Sequence, residues 1–134
     1  MTNGKALILV VDDEVHILHV VSLKLKNAGY DVITAENGEE ALEAAIAQKP
    51  DLVITDFQMP YMTGLELCQR LKATEATRST PALMLTARGF SLASEYLEQT
   101  NIAGVVSKPF SPREILTRVQ DLIGGATEEA TQEP

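Results

Sequence analysis

The stretch Leu52-Val53-Ile54-Thr55-Asp56 decides how this chain folds: an apolar, partly β-branched run ends abruptly in a single carboxylate. Such a run reads as a buried central strand, which puts Asp56 at its carboxyl end, at the mouth of a sheet. Three other strand-like runs also end in reactive side chains. Ala6 to Val11 leads into Asp12 and Asp13, Ala82 to Leu85 into Thr86, and Gly104 to Val106 into Ser107 and Lys108. If these strands are parallel neighbours, all those groups meet at one edge, where open α/β sheets bind their ligands.

The segments between the strands read as helices. Glu14 to Ala28 carries Val15, Leu18, Val21, Leu25 and Ala28 at helical spacing, and Gly29 is a natural C-terminal stop. A short second strand over Asp31 to Ala35 is followed by Asn37 and Glu40, a capping-box-like start for a helix to Gln48 that Pro50 closes. After a loop from Phe57 to Met62, Thr63-Gly64-Leu65-Glu66 is a second capping box, opening a helix to Ala73. The polar, Thr-rich stretch from Ala73 to Thr80 reads as a connection. Ser91 caps a helix to Thr100 with a thin apolar stripe of Leu92, Tyr96 and Leu97. Ser111-Pro112-Arg113-Glu114 combines an N-cap, a first-turn proline and a capping-box glutamate, starting a helix to Ile123 that Gly124-Gly125 ends.

Five repeats of strand then helix predict an α/β fold, a doubly wound five-stranded parallel sheet with right-handed crossovers and helices on both faces. In the strand order 2-1-3-4-5 the switch point lies between strands one and three, flanked by Asp12, Asp13 and Asp56. The folded unit is expected over residues 1–125. Residues 126–134, with three glutamates and no large apolar residue, read as an acidic, disordered tail.

Composition bounds the function. The chain has 134 residues, enough for one domain with a real core, and with 4% aromatics and no Trp that core must be aliphatic. A net charge of −8 argues against nucleic acid, whose binders need a basic face that releases counterions; protein surfaces or cations are the expected partners. The single cysteine, Cys68, excludes an internal disulfide and sits in a helical pattern beside Leu65 and Leu71, so it reads as a small buried hydrophobe rather than a reactive thiol. No run is long enough for a signal-peptide core or a bilayer span, and the expected location is the cytoplasm.

Three carboxylates gathered at one crevice repel: at ~4 Å and an effective dielectric near 20, each pair costs about 4 kcal/mol. Lys108 supplies one positive charge. A hard divalent cation satisfies the excess, and an all-oxygen site with few protein ligands suits Mg²⁺ better than zinc. His16 and His19, at i and i+3, lack the further ligands zinc needs and read as a solvated face. A simpler reading of the acids is as helix caps, since Asp12 or Asp13 could cap the first helix, a role that for one of them can accompany function. Capping does not explain two adjacent acids, nor why Asp56 and Lys108 end their strands.

With Asp-Asp, Asp, Thr and Lys each at a strand end, the chain resembles a response-regulator receiver domain over residues 6–123. The matching motifs are VVDDE, LVITDFQMPYMTG, MLTA and VVSKPF. The resemblance implies that Asp56 takes a phosphoryl group from a sensor kinase's phosphohistidine. It implies that Asp13, Asp56 and the backbone carbonyl of Gln58 bind Mg²⁺, with Asp12 acting through water. Thr86 is then the hydroxyl donor to a phosphoryl oxygen, Lys108 its charge partner, and the Lys108–Pro109 bond cis. The implied partners are a histidine kinase or phosphotransfer protein and an output protein, without nucleic acid or membrane. The chain is expected to be a monomer or weak dimer, with Tyr96 and Arg118 as hints of a surface on the fourth and fifth helices. It is expected to be no enzyme beyond its own phosphorylation and dephosphorylation.

Other phosphate chemistries fit worse. There is no Gly-rich P-loop and no G-x-G-x-x-G turn after any strand. An FMN site on the same strand order needs neutral donors where Asp12 and Asp13 stand. A phosphatase with an aspartyl nucleophile is expected to have a second acid two residues on, where this chain has Gln58. One departure from the family bears on switching: most members carry an aromatic three residues before the lysine, and here that position is Val105. Activation is therefore expected to shift the loop from Thr86 to Phe90 without an aromatic flip, with Arg88 and Gln58 bordering the route of attacking water. The alternatives are a constitutive docking module of the same fold and a stand-alone phosphohydrolase.

Overall fold

The computed structural model describes residues 5–87 and 94–124. Its elements alternate as β1 (Leu7–Val11), α1 (Val15–Asn27), β2 (Asp31–Ala35), α2 (Gly38–Gln48), β3 (Leu52–Asp56), α3 (Gly64–Ala73), a short 3-10 turn (Glu75–Thr77), β4 (Ala82–Thr86), α4 (Ser94–Gln99), β5 (Ile102–Ser107) and α5 (Pro112–Ile123). The five strands form one parallel sheet in the order β2-β1-β3-β4-β5, as the sequence implied.

Strand alternation divides the core into layers. Ile8, Val10, Ile54, Leu83, Leu85 and Val106 pack against Leu18, Val21 and Leu25 of α1 and Ile115 and Val119 of α5. On the other face Leu9, Val11 and Val53 meet Ala41 and Ala45 of α2 and Leu67 and Leu71 of α3. Both flanks of β3 are covered, so all five of its residues are buried, Asp56 included. Each large aliphatic side chain fully removed from water contributes about 1.5–3 kcal/mol, and the core needs no Trp.

Local signals set the boundaries. Gly29, at φ 103, ends α1 in a Schellman arrangement: the Tyr30 amide donates to the Leu25 carbonyl and the Gly29 amide to that of Lys26. Thr63 and Glu66 complete the reciprocal capping box of α3. At α2, Asn37 accepts the Glu40 amide as expected, but the Glu40 carboxylate reaches the Glu36 amide rather than that of Asn37. Ser111 accepts the Glu114 amide at the start of α5.

Some expectations change. The Ala73–Thr80 connection contains a 3-10 turn, held because the buried Thr77 hydroxyl donates to the Leu71 carbonyl at 2.7 Å. β5 starts at Ile102, earlier than the Gly104 expected, because pairing with β4 continues past a register shift that no local apolar pattern reveals. Of the fourth helix, Ser94–Gln99 is described; its expected cap Ser91, the loop through Phe90 with Arg88, and the tail 126–134 lie outside the described residues. No helix among the described residues is long and apolar enough to cross a membrane.

Candidate functional site

The strand registers bring the reactive ends together. Val11 pairs with Thr55, so Asp12 follows β1 beside Asp56, the last residue of β3. Thr86 ends β4 opposite Ser107, and the Lys108 amide donates to the Thr86 carbonyl at 2.7 Å. The crevice above these ends has a volume of about 490 Å³ and is lined by Asp13, Glu14, Asp56, Gln58, Ala87 and Lys108 among others.

Lys108 Nζ lies 2.8 Å from Asp56 Oδ1 and 3.9 Å from Asp12 Oδ2. The Lys108–Pro109 bond is cis, as expected. Asp12 is fully buried; its Oδ1 accepts the Glu14 amide at 2.9 Å, while its Oδ2 has no hydrogen-bond partner among the described residues. The simpler capping reading of Asp12 or Asp13 is not met: Glu14 occupies the N-cap of α1 without a side-chain bond, because the turn directs Asp12 into the crevice and toward the amide of Glu14 itself. One oxygen each from Asp12, Asp13 and Asp56 lies within 4.8 Å of the others. An oxygen-only donor set, with one buried oxygen lacking a hydrogen bond among the described residues, fits a hard divalent cation.

The electrostatics follow from burial. Burial pushes the Asp12 carboxyl up from 3.8 to about 6, against the Glu14 amide that favours its charged form, with Asp56 adding repulsion. Asp56 is also raised, by burial, although the hydrogen bond and charge of Lys108 oppose it. Burial works against the charge on Lys108, but its bond to Asp56 and the surrounding carboxylates outweigh that and raise its pKa. The lysine is therefore held charged between two reluctant carboxylates.

The other predicted residues take distinct places. Thr86 is buried and its hydroxyl has no partner among the described residues. Val105 is half-buried and packs on Cys68, Ala82, Met84 and Ile102, with Phe57 and Leu65 beside it. Gln58 is exposed at the crevice. His16 and His19 are exposed on α1, away from any metal-ligating cluster found among the described residues. Cys68 is buried and its thiol is pushed up to about 12. Arg118 lies across β5, donating to the Val105 carbonyl at 3.3 Å.

Two supports of the site were not read from the sequence. Gly64 brings the start of α3 against β3: a Cβ there would collide with the Asp56 carbonyl, and the Gly64 amide donates to the Phe57 carbonyl at 2.8 Å. The Thr-Gly step inside the capping box was the available signal. Glu14 lines the crevice, and only its place directly after the Asp pair pointed there.

This arrangement has close counterparts. The family model described as "response regulator receiver domain" matches residues 8–120. The chain belongs to the response regulator receiver family. The receiver is 40% identical over 116 residues to the alkaline phosphatase synthesis transcriptional regulatory protein PhoP of Bacillus subtilis, covering 87% of this chain and 48% of that protein. It is 37% identical over 123 residues to the phosphate regulon transcriptional regulatory protein PhoB of Pseudomonas aeruginosa, covering 87% of this chain and 51% of that one. The receiver thus spans about half the length of these curated relatives. Among solved structures it is similar to the chemotaxis response regulator CheY4 of Vibrio cholerae, with a TM-score of 0.81, 35% identity, and coverage of 90% of this chain and 100% of that one. The receiver domain of the sensor histidine kinase PA1611 of Pseudomonas aeruginosa, solved with a magnesium ion coordinated in its active site cleft, matches with a TM-score of 0.78 and 27% identity, over 91% of this chain and 100% of that one.

Proposed function

We propose that this receiver works in the cytoplasm, that Asp56 accepts a phosphoryl group from the phosphohistidine of a sensor kinase or phosphotransfer protein, and that the acylphosphate so formed switches a protein-interaction surface. The observation that carries this reading is the 2.8 Å contact between Lys108 and Asp56 in a crevice shared with Asp12 and Asp13. A carboxylate oxygen of Asp56 attacks phosphorus, the bond from phosphorus to the histidine nitrogen breaks, and its electron pair stays on that nitrogen. Lys108 then pairs with phosphoryl oxygens in place of the free carboxylate, and its fixed charge disperses the negative charge that develops on them. Asp13, Asp56 and the backbone carbonyl of Gln58 would hold Mg²⁺, with Asp12 acting through water. The bound ion supplies further charge neutralisation at the transferring oxygens.

The Thr86 hydroxyl, without a partner among the described residues, is a ready donor to a phosphoryl oxygen, and its movement is the first event of the switch. Val105 packs as a small member of an aliphatic cluster, so the signal passes through the loop after Thr86 without an aromatic flip. The reaction is stoichiometric, one phosphoryl group per chain, rather than sustained turnover. A net charge of −8 leaves this receiver protein partners rather than nucleic acid.

Intact-mass spectrometry after incubation with a small acyl-phosphate donor tests this, with and without Mg²⁺, on the wild type and Asp56→Asn. A single phosphoryl adduct that needs both Mg²⁺ and Asp56 is expected. An adduct on Asp56→Asn, or none on a wild type shown separately to bind Mg²⁺, overturns the assignment.

A further inference from the structure

We propose that Tyr61, at the head of the α2–α3 face, is the centre of a docking surface for a cationic side chain of a protein partner, separate from the phosphoryl crevice. Tyr61 is 98% exposed and has φ 73, a left-handed conformation that disfavours a bulky residue and suits glycine or asparagine. The Met62 amide donates to the Pro60 carbonyl at 2.8 Å, closing a three-residue turn with Tyr61 at its apex. With positive φ at the centre this is the rare, strained form of the γ-turn. Met62 beyond it is buried against Gly38. The turn is pinned on its far side, and the phenol is held outward on a backbone that its own side chain does not favour. Burial of Met62 thus fixes the turn, and the turn presents the phenol to solvent in one backbone geometry.

The surroundings name the ligand's charge. Tyr61 stands between two concavities of about 390 Å³ each. One, between α2 and α3, is bordered by Glu39, Glu66, Gln69 and Arg70; the other adjoins Asn37, and Glu39 borders both. Glu39 is exposed, and its carboxylate makes no hydrogen bond or ion pair among the described residues. Helix α2 carries Glu39, Glu40 and Glu43 and no basic residue. Glu39, Glu43 and Ile46, at i, i+4 and i+7, are all exposed, Ile46 at 40%.

An aromatic face flanked by carboxylates attracts a guanidinium or ammonium through the ring quadrupole and through charge, and it repels phosphate, nucleic acid and anionic lipid. A planar guanidinium stacked on Tyr61 has Glu39 and Glu66 within the same concavity. Gln69 and Arg70, farther along α3, are left to meet a partner carbonyl or carboxylate, which gives the surface a direction. Ile46 adds apolar area along α2. The occupant is thus a basic segment of a protein, presented with an acceptor beyond its cationic residue.

The test is a titration of the isotope-labelled full chain with a capped tri-arginine peptide, followed by amide chemical shifts at physiological ionic strength with Mg²⁺ present to occupy the crevice acids. Saturable shifts are expected to centre on Glu39, Tyr61, Glu66 and Gln69. Tyr61→Ala should weaken binding about fivefold, in line with loss of one cation–π contact, Glu39→Gln should also weaken it, and Tyr61→Phe should keep it. Shifts centred on Asp12, Asp13 and Asp56, shifts spread evenly over every acidic face, or equal affinity in Tyr61→Ala would overturn the proposal. Glu39→Gln, an exposed isosteric change, keeps the test valid should Tyr61→Ala disturb the turn.

Discussion

Replacing Asp12 with asparagine should stabilise the metal-free protein at neutral pH, although it removes a residue from the candidate site. Asp12 is fully buried, one of its oxygens lacks a hydrogen bond among the described residues, and its carboxyl is raised from 3.8 to about 6. A folded-state value above the unfolded one means that the native state resists losing this proton. The penalty is absent below about pH 3.8, grows as pH rises, and is complete above about pH 6. At about 1.4 kcal/mol per pH unit, the difference between 3.8 and about 6 corresponds to about 3 kcal/mol. Asparagine keeps an oxygen for the Glu14 amide but places an amide group near Lys108, 3.9 Å from Asp12 Oδ2 in the wild type, so a net gain of about 1–2 kcal/mol is expected. Urea unfolding in EDTA at pH 7.5, repeated near pH 4.5, reads it directly. The gain should shrink at the lower pH and shrink again at pH 7.5 when saturating Mg²⁺ stabilises the wild type by mass action. An Asp12→Asn protein less stable than wild type in EDTA at pH 7.5, or equally stabilised at both pH values, would refute the reasoning.

Gly64→Ala drives a Cβ into the Asp56 carbonyl. It should cost about 1–3 kcal/mol by urea melt and reduce the initial rate of acyl-phosphate adduct formation even where the protein is fully folded. Tyr30→Phe removes the 2.7 Å bond from the phenol to the Gly124 carbonyl; a loss of about 1 kcal/mol is expected, with faster amide exchange confined to the end of α5. Cys68, 2% exposed and with its thiol pushed up to about 12, should resist iodoacetamide at pH 8 in the native state and react fully in urea, as mass spectrometry of the alkylated protein will show.

Strand ends, helix caps and sheet class were legible because each is written in adjacent residues. Leu52 to Asp56 announces a buried strand stopped by a carboxylate, Thr63 to Glu66 a capping box, and Ser111-Pro112 a helix start; each is met in the structure. Strand order followed from the number and alternation of elements, and with it the meeting of Asp12, Asp13, Asp56 and Lys108. Family resemblance added the roles of those residues and the cis bond before Pro109.

The rest is a property of contacts between distant residues. No local pattern says that Arg118 reaches the Val105 carbonyl over Gly104, that β5 extends back to Ile102 past a register shift, or that among the described residues Asp12 has one hydrogen-bonded oxygen and one met only by the Lys108 charge at 3.9 Å. Nor does Pro60-Tyr61-Met62 reveal that its aromatic is lifted clear of the surface. Sequence by itself determined which side chains lie at the carboxyl edge of the sheet, because side-chain alternation and capping act over a few residues. Only the tertiary structure decided which of those groups are buried, paired or left without a partner, because burial and electrostatic shifts depend on every element packed around a group.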